Sequence, residues 1–303
     1  MPEDIRTLGT EQRHPRSGTL DQLPPLAFVT LMNDIDSEVL PAVRAAAPAI
    51  AQAIEASAER IARGGRIIYF GAGTSGRLGM LDAAECPPTF GVEPELVQAQ
   101  LAGGPEAFQR AKEGVEDSPD AGAADVEALG AGERDVAVGI AASGRTPYVL
   151  GALERGGEVG ALTVAIACVE GSAIGRVAQV AIEVVTGPEI LTGSTRLKAG
   201  TAQKMVLNML STGAMVQVGK VYENLMVDVK ATNAKLRQRA VGIVREVTGE
   251  PDDRAQAALE ACEWSVKPAC LVAARGLSPA EASALLSRHG GRLREALRGS
   301  DGS

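Results

Sequence analysis

The sequence predicts an α/β fold: a three-layer αβα domain on a five-stranded, mainly parallel sheet, with helices before it and a small all-helical subdomain after it. Three observations carry this. Short runs rich in Val, Ile and Ala alternate with segments of helical periodicity, the pattern of parallel strands joined by helices. Loops rich in glycine and hydroxyl residues follow strands and open helices. After Thr248-Gly-Glu-Pro251 the segments become short, Ala-rich and helical.

The 303 residues suffice for one large and one small domain, at about 100–200 residues each. Hydrophobic residues make up 45% but aromatics only 3%, so the core must be built from Ala, Val, Leu and Ile. The 38 Asp and Glu outnumber 30 Lys and Arg, a formal charge of −8, which argues against nonspecific nucleic-acid binding and against an anionic membrane surface. Arg237, Arg239 and Arg245 form a basic cluster, but Glu246 and Glu250 follow it, so it reads as a solvated helix face. Cys86, Cys168, Cys262 and Cys270 include no Cys-x-x-Cys pair and have no close His, which disfavours zinc. With no signal peptide they read as reduced thiols of a cytoplasmic protein. No uninterrupted apolar run reaches the roughly 18 residues that span a bilayer.

Met1 to about Leu23 is polar and ends at Pro24-Pro25. It reads either as an extended arm over the domain or over a partner subunit, or as a disordered tail. From Ala27 to about Arg63, Phe28, Leu31, Met32, Val43, Ile50, Ile54 and Ile61 recur at helical spacing, giving two helices separated near 34–37. Arg66–Phe70 is the first strand, and the helix after it stops at Pro87 and Pro88. Leu96–Leu101, Asp135–Ala141, Leu162–Ala167 and Val180–Val185 are the other strands, with helices over Ala107–Val115 and Pro147–Arg155. A long helix from about Thr201 to Val218 uses Met205, Met209 and Met215 as core filling, and another runs from about Thr232 to Val247. Asp253–Glu263, Pro268–Arg275, Ser278–Arg288 and Arg292–Leu297 are the last helices, and Ser278-Pro-Ala-Glu281 has the spacing of a capping box. The expected division is 1–63 for the arm and helices packing on the core, 64–247 for the sheet domain and 248–303 for the helical subdomain.

Four stretches can carry chemistry. Gly71-Ala-Gly-Thr-Ser-Gly-Arg77 follows the first strand and opens a helix. The first amides of a helix lack internal partners and sit at the positive end of its dipole, so they can hold an anion. Gly73 and Gly76 admit close approach of the backbone, and Thr74 and Ser75 add hydroxyls without charge. This reads as a phosphate loop, with a mere tight turn as the plain alternative. Ala142-Ser-Gly-Arg-Thr-Pro147 repeats the design after the third strand: Ser143 and Thr146 can reach a phosphate and Gly144 closes the turn. Two such loops lie at the carboxyl edge of one sheet, where open α/β sheets bind ligands. Arg77 and Arg145 fit either phosphate contacts or structural ion pairs. Thr192-Gly-Ser-Thr-Arg-Leu-Lys-Ala-Gly-Thr201 offers Ser194, Thr195 and Lys198, against helix capping as the alternative. In Lys112-Glu-Gly-Val-Glu-Asp117, Glu113 and Glu116 share one helical face, or form a solvated acidic turn. Glu85, at the far end of the helix that the first loop opens, is another carboxylate. Two carboxylates beside a neutral sugar can divide acid and base work if their environments differ.

These residues resemble a known family. Gly71–Thr89, with Glu85-Cys-Pro-Pro-Thr89 at its end, Ala141–Tyr148, Gly193–Lys204, Asn208–Lys235, Thr10-Glu11, Asn224-Leu-Met-Val-Asp228 and His289-Gly-Gly291 are similar to the N-acetylmuramic acid 6-phosphate etherase family, of the sugar-isomerase (SIS) fold group. The resemblance covers nearly the whole chain, and Glu85-Cys-Pro-Pro-Thr89 separates it from generic sugar-phosphate loops. It implies a SIS domain that cleaves the lactyl ether of N-acetylmuramic acid 6-phosphate to N-acetylglucosamine 6-phosphate and D-lactate in peptidoglycan recycling, with no metal or organic cofactor. It implies Glu85 as proton donor and Glu116 as second catalytic carboxylate. It also implies Thr74, Ser75, Ser143, Ser194 and Thr195 in the sugar-phosphate loops, Glu113 against the sugar, and a homodimer with sites near the subunit interface. His289 then either reaches the site or simply ends a helix at the surface. Ala234 and Leu197 depart from the family pattern, which touches fine substrate contacts and not the reaction. In the implied chemistry Glu116 removes the proton beside the aldehyde of the open-chain sugar, and Glu85, kept protonated by partial burial, protonates the departing lactate. The rivals are a sugar-phosphate isomerase, a non-catalytic sugar-phosphate sensor like the glucokinase regulatory protein, and a SIS-type transcription regulator. The last would need a basic helix-turn-helix, for which the N-terminal region is too short and acidic.

Overall fold

In the computed structural model of the chain, residues 9–110, 112 and 114–299 are described. The chain divides into two compact units, Met1–Ala84 with Glu95–Gly213, and Glu85–Pro94 with Ala214–Ser303.

The first unit is organised by β1 (Ile67–Gly71), β2 (Val97–Leu101), β3 (Val136–Ile140), β4 (Leu162–Ala167) and β5 (Val180–Glu183). They pair in the order β2-β1-β3-β4-β5, all parallel, as the sequence reading requires. Every residue of β1, β3 and β4 is buried, because a central parallel strand is covered on both faces. The edge strands β2 and β5 bury only alternate or terminal positions.

Around the sheet lie α1 (Pro25–Asp36), α2 (Val39–Ala45), α3 (Ala47–Ala62), α4 (Gly73–Phe90), α5 (Glu106–Gln109), α6 (Pro119–Ala128), α7 (Pro147–Glu158), α8 (Ala173–Val177) and α9 (Lys198–Gln217). One face carries α6, α7 and α8, where Val126, Val149, Leu153 and Ile174 pack on Ile68, Phe70, Ala137 and Ala165. The other carries α3, α4 and α9. A methyl added at Gly79 of α4 would lie 3.1 Å from Tyr69 Cβ and 3.2 Å from Ile140 Cδ1, and one at Gly213 of α9 would meet Ile54 of α3 at 2.6 Å. The three-layer αβα arrangement is thus the observed one.

Several elements differ from the sequence reading. Helix α4 does not stop at Pro87 and Pro88 but runs through them to Phe90. Proline removes the amides that would bond back to Ala83 and Ala84, yet its fixed φ is itself helical. The turn closes at Gly91, whose φ is +62° and whose amide donates to the Pro87 carbonyl at 3.0 Å. The N-terminal segment holds three helices, not two, because Pro48 opens a new first turn after Ala46. The helix expected over 107–115 shrinks to α5 and a 3₁₀ turn at Val115–Asp117, between Gly103, Gly104 and Gly114, all at positive φ. Helices α6 and α8 carried no apolar stripe long enough to be read. Helix α6 packs backbone against backbone on α7: a methyl at Gly122 would fall 1.9 Å from the Tyr148 carbonyl oxygen, and one at Gly151 would fall 2.0 Å from that of Pro119.

The described part of the N-terminal arm follows α1 and α2. Thr10 is buried, His14 Nε2 lies 3.5 Å from Glu38 Oε1, and Arg16 meets Asp34 at 2.8 Å.

The second unit contains α10 (Ala234–Thr248), α11 (Asp252–Ala261), α12 (Val266–Arg275), α13 (Pro279–Arg288) and α14 (Leu293–Arg298). Val244, Leu259, Leu271, Leu286 and Leu293 form its core with Val227 and Val229. The capping box at Ser278 and Glu281 is formed on both sides. Among the described residues no helix is long and apolar enough to cross a membrane.

Candidate active site

The strand order reverses direction between β1 and β3, so the crevice outside their carboxyl ends is the switch point of the sheet. Gly71 and Ile140 are register partners there, and Ala72 and Ala141 leave the sheet side by side. The amino ends of the same strands are clamped together. Asp135 accepts from Arg66 N at 2.9 Å, Nε at 3.0 Å and Nη2 at 2.7 Å, and from Gly132 N at 3.1 Å. Burial pushes the Asp135 carboxyl up, but these donors and the guanidinium charge hold it below the ordinary carboxylate range.

The first loop is shorter than the sequence suggested. Only Ala72 separates β1 from α4, so Gly73, Thr74, Ser75, Gly76 and Arg77 form the first helical turns. Strand and helix close on each other through glycines: a methyl at Gly76 would fall 2.5 Å from the Gly71 carbonyl oxygen. Gly73 is exposed at φ +54°, Thr74 is half-buried and Ser75 is buried, with its hydroxyl donating to Gln203 Oε1 of α9 at 2.9 Å. Arg77 donates to the carbonyls of Ala107 and Phe108 at 2.8 and 2.9 Å. Two turns further on, buried Asp82 fixes α4: it accepts from Tyr69 at 2.8 Å, Asn208 at 2.6 Å and Ser211 at 3.2 Å.

The second loop turns at Gly144, φ +67°, where a side chain would run into Ser172 at 2.4 Å. Ser143 and Thr146 are half-buried, and Thr146 opens α7 without a side-chain cap. The third loop reaches the first directly, since a methyl at Gly200 would touch Thr74 Cγ2 at 3.6 Å. Ser194 and Thr195 are half-buried in it. The amides at the start of α9 are capped by Glu189 and not by a hydroxyl, for its carboxylate accepts from Lys198 N and Ala199 N, both at 2.9 Å. Burial pushes the Glu189 carboxyl up, and the two amides oppose it. The Lys198 ammonium is fully buried and donates to Glu38 Oε2 at 2.5 Å. Burial pushes Glu38 upward, but Lys198 and then His14 bring it below its ordinary range.

Glu116 lies on the 3₁₀ turn Val115–Asp117 and is exposed. It borders a cavity of 380 Å³ with Ala72, Gly73, Arg77, Ala102 and Lys112, at the carboxyl ends of β1 and β2. The structure therefore gathers Gly73, Thr74, Ser75 and Arg77 with the third loop and with the Glu116 cavity. Glu113 lies outside the described residues. Glu85 belongs to the second unit and is exposed. His289 ends α13 with its amide on the Leu285 and Leu286 carbonyls. Among the described residues no three His, Cys, Asp or Glu side chains gather as metal ligands would. Sequence reasoning missed Asp82, Glu189 and Gln203. Gln203 and Asp82 sit on helix faces turned inward, where the only signal is a polar residue within an otherwise apolar stripe.

Residues 49–156 match the family model of the glucokinase regulatory protein N-terminal SIS domain, and residues 107–213 match the SIS domain model. The chain is thus similar to SIS-domain proteins over its sheet and its hydroxyl loops. Proteins from Salmonella choleraesuis (strain SC-B67) and Salmonella typhimurium (strain LT2) named N-acetylmuramic acid 6-phosphate etherase are each 54% identical over 294 residues, 97% of this chain and 99% of theirs. The chain belongs to the N-acetylmuramic acid 6-phosphate etherase family. A phosphoheptose isomerase from Francisella tularensis aligns at 18% identity with a TM-score of 0.45, over 62% of this chain and 98% of that one. A likeness of that strength adds nothing to the assignment.

Proposed function

We propose that the chain cleaves the D-lactyl ether of N-acetylmuramic acid 6-phosphate, giving N-acetylglucosamine 6-phosphate and D-lactate by elimination of lactate and addition of water. What supports this is the gathering of hydroxyl-bearing loops and the Glu116 cavity at one sheet edge, in a chain of the etherase family.

An ether oxygen leaves poorly, so direct hydrolysis is slow. In the open-chain sugar the hydrogen on C2, beside the aldehyde, is weakly acidic. Glu116 takes it as general base, and its bonding electrons form the C2–C3 double bond. The C3–O bond breaks with its electrons going to the lactate oxygen, which Glu85 protonates. Water then adds at C3, giving its proton to the Glu85 carboxylate, and C2 regains a proton from Glu116. Each transfer contributes about 10²–10⁴-fold in rate. Gly73, Thr74, Ser75, Gly76, Arg77, Ser143, Gly144, Thr146, Ser194 and Thr195 form the sugar-phosphate end of the site, Glu113 touches the sugar, and their binding energy holds the carbon chain in register; the Lys198 ammonium, buried on Glu38, takes no part. The acid role asks for a desolvated Glu85, which a partner subunit over its exposed turn supplies; the reading is accordingly of a homodimer. It is also of a cytoplasmic enzyme that takes a small sugar phosphate and uses no metal, nucleic acid or membrane. Residues 64–247 carry the site, 1–63 pack on them and 248–303 form a helical subdomain.

The test is D-lactate release from N-acetylmuramic acid 6-phosphate by chelator-treated protein. Release by wild type, lost in Glu85→Gln and Glu116→Gln, is expected. Absent release with the sugar phosphate still bound refutes the catalytic reading and leaves a sensor.

A further inference from the structure

Gln203 is 1% exposed and stands on α9 against the first turn of α4. Its Oε1 accepts from Ser75 Oγ at 2.9 Å. Its Nε2 is buried with no hydrogen-bond partner. A buried donor without an acceptor loses its hydration for nothing in return. The bond is also wrong for an anion site. A serine hydroxyl has one proton, and a phosphate oxygen can only accept. While Ser75 gives its proton to Gln203, it has none for a phosphate.

One rotation reverses the direction of the Ser75 bond. The last torsion of glutamine is broad and nearly two-fold, so turning the amide by half a circle exchanges Oε1 and Nε2 at little cost. Nε2 then lies where Oε1 lay and donates to Ser75 Oγ. The serine proton is released toward the open side of the turn, where Gly73 is exposed and Thr74 half-buried.

We propose that Gln203 is the positioning residue of the first loop: when a phosphate ester binds, its amide turns so that Nε2 donates to Ser75 and Ser75 donates to the phosphate. The inference rests on the phosphate-loop reading of Ser75. It assigns Gln203 no contact with the ligand, only control over which way the Ser75 hydroxyl points.

The test measures KM for lactate release and calorimetric binding of N-acetylglucosamine 6-phosphate, from about pH 5 to pH 8, in wild type, Ser75→Ala, Gln203→Met, Gln203→Glu and the Ser75→Ala/Gln203→Glu double variant. A glutamic acid at 203 donates to Ser75 when protonated and only accepts when ionised. The ratio of Gln203→Glu to wild-type KM should therefore rise with pH to about tenfold to a hundredfold, the range of one hydrogen bond to a charged group. Gln203→Met, which neither donates nor carries charge, should raise KM more than it lowers kcat at every pH. In the double variant the pH-dependent rise should vanish, because both changes act through one bond. A ratio that stays flat with pH, or a rise that persists without Ser75, overturns the inference. If Ser75→Ala binds the sugar phosphate as tightly as wild type, the reading of Ser75 fails and the inference with it. If Ser75→Ala weakens binding but the Gln203 variants do not, the reading stands and the inference alone is refuted.

Discussion

Replacing Asp135 by Asn tests the clamp that holds β1 against β3 at the end remote from the site. Asp135 Oδ1 accepts from Arg66 N and Nε, and Oδ2 accepts from Arg66 Nη2 and Gly132 N. An asparagine keeps one oxygen. Whichever way it is turned, its NH₂ group faces two donors, so two of the four bonds are lost. Bonds to a charged group contribute about 1.5–3 kcal/mol each. The Asp135 side chain is only 9% exposed, whereas that of Arg66 is 27% exposed and its remaining donors reach the Leu129 and Gly130 carbonyls at 3.2 Å, so part of the guanidinium loss is recovered. The expected destabilisation is about 2–4 kcal/mol near neutral pH. It should depend on pH in one direction. The folded carboxyl lies below its ordinary range, so its contribution is full above the unfolded value and is lost as pH falls through the folded one. Urea unfolding of both proteins should give a constant difference from about pH 5 to 8 that narrows below about pH 4. A difference independent of pH down to the acid limit of the fold, or one below about 0.5 kcal/mol at neutral pH, would refute the reasoning.

Gly151→Ala should separate α6 from α7, since the new methyl would sit 2.0 Å from the Pro119 carbonyl oxygen with only backbone to move; a loss of about 3 kcal/mol or more in chemical unfolding is expected. Cys168 should resist alkylation in the folded protein at pH 8 and react on unfolding, because burial, and then the charge of Glu189, pushes its thiol up to about 12. Labelling at the rate of a free thiol under native conditions would contradict its placement.

The sheet was legible because its strands are continuous apolar runs. Leu162–Ala167 was read to the residue, since a strand buried on both faces has no polar position to blur its ends. Helix α6 was not legible, because its contact with α7 is made through Gly122 and Gly151, and glycine gives a hydrophobic pattern nothing to register. The prolines of Glu85-Cys-Pro-Pro-Thr89 misled for a different reason: they mark lost hydrogen bonds, but the end of α4 is set by Gly91 one turn later. At the site the loops could be seen as strand-to-helix turns rich in hydroxyls. Their partners could not, because Ser75 meets Gln203 across 128 residues and Lys198 meets Glu38 across 160. Pairings at that separation depend on how α2, α4 and α9 pack, which no local spacing encodes.

The central claim is that two carboxylates divide one elimination, and it is tested most directly by following the C2 hydrogen in deuterated water. N-acetylmuramic acid 6-phosphate is incubated with wild type, Glu85→Gln and Glu116→Gln, and deuterium at C2 and released D-lactate are measured together. The account predicts that wild type releases lactate and labels its product, that Glu85→Gln still exchanges the C2 hydrogen but releases lactate about 10²–10⁴-fold more slowly, and that Glu116→Gln does neither. Loss of exchange in Glu85→Gln, or undiminished exchange in Glu116→Gln, would contradict it.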